Sequence, residues 1–328
     1  MSQSSGITMH SRRQVIAMTA ALALNRFGLP VGRSFPSTRA QRILLVHGRG
    51  QEGRDPAALK TEWTDALKAG AALGNVAMPS NISIDFPFYG DLLERYSREN
   101  GIPLTSEINA RGGPQVDEFL VFQAEVAEAI RVQAGITDEQ VATEFGDDPS
   151  PRGPLNWKWV QAILRAIDKH GGGLNNKPLE VFTRDVFLYT TRPGVRDEVD
   201  SIVSRALTEE PTVVIAHSLG TVVAYSILRN DRRRLKIPLF ITLGSPLGVR
   251  AIRNQLIPIR MPAPVENWYN AFDSRDVVSL YPLDDRNFPI SPAIENYGSV
   301  RNSTPNRHGI VGYLGDGTVA QKIIQHLT

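Results

Sequence analysis

Ser218 stands in VVIAHSLGT, residues 213–221, between an apolar run and a second apolar pattern of helical spacing. A serine hydroxyl is a poor nucleophile unless a base withdraws its proton and the backbone projects it from a tight turn. Ala216 and Gly220, two residues away on either side, are small enough for such a strand-to-helix turn and give the pattern small-x-Ser-x-Gly. Ser4 is the only other serine with glycine two places on, and no strand precedes it. The competing reading makes Ser218 an ordinary N-cap that accepts a backbone N–H.

A base and an acid must accompany a nucleophile. Of the six histidines, His308 in NRHGIVGYL, in a loop after the last strands and before the final helix, is the one that remains as a candidate base; the competing reading makes it a surface or N-capping histidine. His217 is adjacent to the serine and is expected to point elsewhere, and His47 ends the first strand. The acid is expected between the serine and His308. Asp231 ends the helix after the serine, at the wrong end of a sheet. Asp276 is preferred because it follows the strand NWYNAF and precedes Val277-Val278, with Asp273 as the alternative. Its carboxylate would fix the histidine tautomer and stabilise the imidazolium.

Acyl chemistry also needs two N–H donors aimed at a developing oxyanion. The N–H groups of Leu219 and Arg49 are the candidates, with Gly48 and Gly50 allowing close backbone approach. Arg49, Arg54, Arg275 and Arg307 flank the expected site. They suit an anionic group such as a phospholipid head, or they pair with Glu52, Asp55 and Asp273. Gly48, Gly50 and Arg307 are therefore the substrate-binding candidates.

The elements that must position these residues alternate. RILLVH, 42–47, is a short buried strand, and Asp55-Pro56 opens a helix through Lys68. ISIDFPFY, 82–89, is a strand that Pro87 confines to an edge or ends early. Helices follow over 114–135 and 157–167. After Pro193-Gly194 come a helix to about residue 207, a strand at 212–216, a helix at 219–229, strands at 238–243 and 267–272, and a final helix near 318–325. Strand–helix alternation implies an α/β architecture with a mainly parallel sheet and function at the carboxyl ends of its strands. Residues 92–175 are expected to form an inserted helical cap, or to pack on the main core.

Composition narrows the class. The chain is 41% apolar and 21% charged, with a formal net charge of +2, which gives no electrostatic case for nucleic acid. The absence of cysteine excludes disulfides, thiolate metal sites and a cysteine nucleophile. No two histidines fall four residues apart, so no metal and no cofactor are expected. In residues 1–41, SRRQVI followed by AMTAALAL is similar to a twin-arginine export signal. Its apolar stretch is too short to span a membrane, and a cytoplasmic protein with a flexible N-terminal arm is the first expectation, export the second.

In that order, LLVHGRG, VVIAHSLGT, FITLGSPLG, the Asp276-Val-Val segment and NRHG resemble an α/β-hydrolase of the serine esterase and lipase type. The resemblance covers residues 42–91 and 176–328; Ala216 departs from it, standing where such a turn usually has its first glycine. It implies an eight-stranded, mostly parallel sheet, helices on both faces, and a Ser218–Asp276–His308 triad. The implied activity is hydrolysis of a small-molecule or lipid ester through an acyl-enzyme, with contact to a membrane periphery compatible with it. A thioesterase, amidase or acyltransferase with the same triad, and a binding protein without turnover, are the alternatives.

Overall fold

The computed structural model describes residues 39–99, 102–104, 107, 114–171 and 176–328. The export-like N-terminal segment and the flexible-arm expectation, through residue 38, lie outside the described residues.

Six strands occur among the described residues: β1 (Arg42–Val46), β2 (Ser83–Asp85), β3 (Thr212–His217), β4 (Phe240–Leu243), β5 (Trp268–Ala271) and β6 (Glu295–Tyr297). All pair in parallel, in the order β2-β1-β3-β4-β5-β6. The architecture is α/β, with an all-parallel sheet flanked by helices on both faces. The resemblance implies eight strands; the described residues form six. The expected 82–89 strand pairs over three residues only and lies at the sheet edge, as Pro87 dictates.

Both faces of the central strands are covered, so β1, β3 and β4 are continuous apolar runs rather than alternating ones. The period of two still sorts their side chains. Ile43, Leu45, Val213, Ile215 and Ile241 pack on α1 (Pro56–Leu73) and on two C-terminal helices whose buried residues include Tyr313 and Val319. Asp55 caps α1 through the N–H groups of Ala57 and Ala58, with Pro56 at the first helical position.

Leu44, Val46, Val214, Ala216 and Phe240 face the other way. They share one apolar core with α2 (Gly90–Glu99), α3 (Pro114–Gln133), α4 (Asp138–Phe145), α5 (Trp157–His170), α6 (Asn176–Thr191), α7 (Pro193–Ala206), α8 (Leu219–Asn230) and α9 (Arg250–Asn254). The helical block at 92–175 is continuous with this core through Phe119, Phe122 and Phe187. The chain ends in α10 (Ile310–Leu314) and α11 (Gly317–Ile324).

The strand order reverses once. From β1 the chain steps outward to β2, then returns past β1 to β3 and continues through β4, β5 and β6 on the other side. In an open parallel sheet such a switch point leaves a crevice at the carboxyl ends, because the two flanking connections leave in opposite directions. Here the flanking segments are the loop after β1, which begins at His47, and the turn after β3, which carries Ser218.

Candidate functional site

Ser218 adopts φ 54° and ψ −129°, a conformation that costs a non-glycine residue on the order of 1–3 kcal/mol. Packing holds it there. Its N–H donates to the carbonyl of Leu243 at 3.1 Å, extending the β3–β4 ladder one residue past the strand. A Cβ on Gly220 would sit 2.3 Å from the Val46 carbonyl oxygen, so only glycine lets α8 begin this close to β1. A Cβ on Gly48 would sit 2.8 Å from Ser218 Cβ, which places the loop after β1 directly against the serine.

The N-cap alternative fails on geometry. Ser218 occupies the capping position of α8, yet its side chain makes no cap hydrogen bond. Its Oγ lies 2.8 Å from His308 Nε2 instead. His308 Nδ1 lies 2.7 Å from Asp276 Oδ2. Because that carboxylate oxygen accepts, Nδ1 carries the proton and Nε2 is left to accept from the serine hydroxyl. The three side chains form one hydrogen-bonded chain, from a 0% exposed carboxylate to a serine 2% exposed.

Asp276 is satisfied on every side. Its Oδ2 also accepts from Tyr313 OH at 2.5 Å and Ser279 Oγ at 2.9 Å, and its Oδ1 accepts from the Val278 N–H at 3.0 Å. With His308, these donors give the buried carboxyl group four direct hydrogen bonds. Burial and the adjacent Asp276 charge push the Tyr313 phenol well above its ordinary value, so it remains a donor. Asp273 faces elsewhere: it accepts from the backbone and guanidinium of Arg275 and from the Asn302 N–H. Its role in this geometry is to fasten the loop after β5.

The other candidates divide. Leu219 opens α8, so its N–H has no intrahelical acceptor and points with the positive end of the helix. Arg49 and Gly50 line a cleft of about 350 Å³ that contains Ser218 and His308. Leu179, Phe182, Val278, Ile310 and Val311 form its apolar side, and Gln51, Arg54, Glu62 and Asn306 contribute polar groups. Arg307 is absent from that lining, although its neighbours Asn306 and His308 belong to it. Three of the four flanking arginines have carboxylate partners: Arg49 with Asp185 and Arg54 with Glu62, rather than with Glu52 and Asp55, and Arg275 with Asp273 as expected.

Two further histidines serve the site while staying neutral. His217 Nε2 donates to the backbone carbonyl of His308 at 2.7 Å. Burial, then the neighbouring His308, holds its pKa well below the ordinary value. His47 donates from Nδ1 to the Gly48 carbonyl at 2.6 Å and accepts the Tyr89 N–H at Nε2, tying the loop after β1 to the segment after β2. Burial lowers its pKa to about 4. Sequence reasoning missed Tyr313, Ser279 and the clamp made by His217. Only Ser279, three residues after Asp276 in a turn, had a local signal.

Among the described residues no group of three His, Asp or Glu side chains gathers to hold a metal ion. No described helix is long and apolar enough to cross a membrane. No family model, no curated protein and no solved structure matches the chain.

Proposed function

We propose that the protein is a serine hydrolase of the α/β-hydrolase type that cleaves carboxylic esters through Ser218, His308 and Asp276. The observation that carries the reading is the unbroken chain Asp276–His308–Ser218, at 2.7 and 2.8 Å, ending on a serine in a strained turn. The chain order Ser, Asp, His and the strand–turn–helix setting of the serine agree with that type.

The chemistry follows from the geometry. Ser218 Oγ attacks the ester carbonyl carbon while His308 Nε2 takes the hydroxyl proton. The carbonyl oxygen becomes an oxyanion, held by the N–H groups of Leu219 and Arg49. The intermediate collapses, the C–O bond to the alcohol breaks, and His308 returns its proton to the departing oxygen. Water, deprotonated by His308, then attacks the acyl-enzyme, and the carboxylic acid leaves as Oγ regains its proton. The Asp276 carboxylate stabilises the imidazolium.

Leu179, Phe182, Val278, Ile310 and Val311 suit an apolar acyl group, which makes small-molecule or lipid esters the substrate class. A p-nitrophenyl ester series of increasing acyl length tests this reading. Turnover by the wild type and its loss in Ser218→Ala support it; equal rates for the two proteins contradict it.

A further inference from the structure

α6 brings a carboxylate to the cleft. Leu179, Phe182 and Asp185 fall three residues apart along it, a spacing that puts them on one helix face. The first two line the cleft as apolar wall. Asp185 is 5% exposed, and its Oδ2 lies 3.3 Å from Arg49 Nε. On its own helix Arg184 Nε approaches its other oxygen at 3.9 Å. From the loop after β1, the Glu52 charge acts on it in the opposite sense to the two arginines.

A buried ion pair is a poor source of stability, because desolving two charges offsets much of their attraction. An apolar pair of similar volume commonly serves a core as well or better. A charge on this face therefore calls for a reason beyond stability, and its partner supplies one. Arg49 follows Gly48, on which a Cβ would meet Ser218 Cβ at 2.8 Å. The Arg49 carbonyl also accepts from Gln51 Nε2 at 3.1 Å.

We propose that Asp185 is a positioning residue: by holding the Arg49 side chain against α6, it fixes the 48–50 backbone so that the Arg49 N–H aims at the oxyanion above Ser218. This rests on the hydrolase reading above and adds a residue from the helical layer to it. Burial pushes Asp185 up to about 6, against the lowering by Arg49 and Arg184, so it is ionised at neutral pH and the pair is charged there. The misalignment caused by losing Asp185 acts on the tetrahedral state, not on the bound ester.

The test is a cycle of Asp185→Asn, Arg49→Met and the double variant, each assayed for ester kcat and KM and for inhibition by an alkylboronic acid. The boronate forms a tetrahedral serine adduct and so reports on the oxyanion site. Each single variant is expected to lose at least tenfold in kcat and a similar factor in boronate affinity, with KM within about twofold. The double variant is expected to match the singles, because Asp185 acts through Arg49. Arg49→Met/Asp185→Leu replaces the pair by apolar groups, keeps the core filled and must show the same loss. Wild-type kcat in Asp185→Asn or in the apolar pair overturns the proposal, as do multiplicative effects in the cycle. Loss of KM and kcat together with melting temperature also overturns it, as the mark of a merely structural role. A folded wild type that neither turns over esters nor binds boronate removes the hydrolase reading itself.

Discussion

His217 Nε2 donates a hydrogen bond to the backbone carbonyl of His308 at 2.7 Å, so the residue next to Ser218 holds the main chain of His308. The rings lie 4.8 Å apart between centroids, and Trp63 packs edge-on with His217. The position of His308 is thus set from two directions, by Asp276 through its ring and by His217 through its backbone.

Replacing His217 by Phe keeps the ring and removes the donor. The expected result is a loss of roughly tenfold in ester kcat, the size of about 1.4 kcal/mol in a barrier, with KM little changed. His217→Gln, which retains a donor, is expected to recover part of that loss. Steady-state kinetics on one ester checks both.

Tyr313 provides one of four hydrogen bonds to Asp276 and is wholly buried. A hydrogen bond to a charged group contributes about 1.5–3 kcal/mol. Tyr313→Phe should lose stability of that order in urea denaturation. Because the other donors still hold the carboxylate, it should keep more than a tenth of wild-type kcat. An unchanged denaturation midpoint would show that the bond carries no weight.

Acid should weaken the fold through His47. Its folded pKa, about 4, lies below the ordinary histidine value, so between pH 6.5 and 4 the unfolded chain binds a proton that the folded chain refuses. The stability from this group is complete above pH 6.5 and is lost as pH falls toward 4, a change on the order of 3 kcal/mol. Asp200 opposes it: burial raises its pKa to about 6, so its contribution is complete below pH 4 and is lost as pH rises through 6. Denaturation at pH 7 and pH 4.5 separates them. Relative to wild type, His47→Gln should lose less stability on acidification, and Asp200→Asn should lose more.

Ser218, Asp276 and His308 were legible in the sequence because each sits in a local pattern: a small-x-Ser-x-Gly turn after an apolar strand, an acid at the end of NWYNAF, a histidine before the last helices. The choice of Asp276 over Asp273 had only a weak local basis; in the structure the His308 ring meets Asp276, while Arg275 and Asn302 occupy Asp273. The central strands were equally plain, since their apolar runs are continuous. β6, ENY, was not legible: it is three residues long at an edge, with Glu295 and Asn296 exposed and Tyr297 half-buried, so burial leaves no pattern on it. α6 carried no clean helical stripe, because its apolar residues include the consecutive run Val186 to Tyr189, all buried. The roles of Tyr313, His217 and Asp185 depend on partners 37, 91 and 136 residues away, a distance at which spacing carries no information.

The central claim is that Ser218 is a nucleophile activated by His308. Its most direct measurement is reaction with a fluorophosphonate, in which Oγ bonds to phosphorus, fluoride departs, and His308 takes the hydroxyl proton. Mass spectrometry of the digested protein is predicted to find one adduct, on the peptide carrying Ser218, and none in folded Ser218→Ala. A folded wild type without an adduct, or one whose adduct persists in Ser218→Ala, would contradict the account.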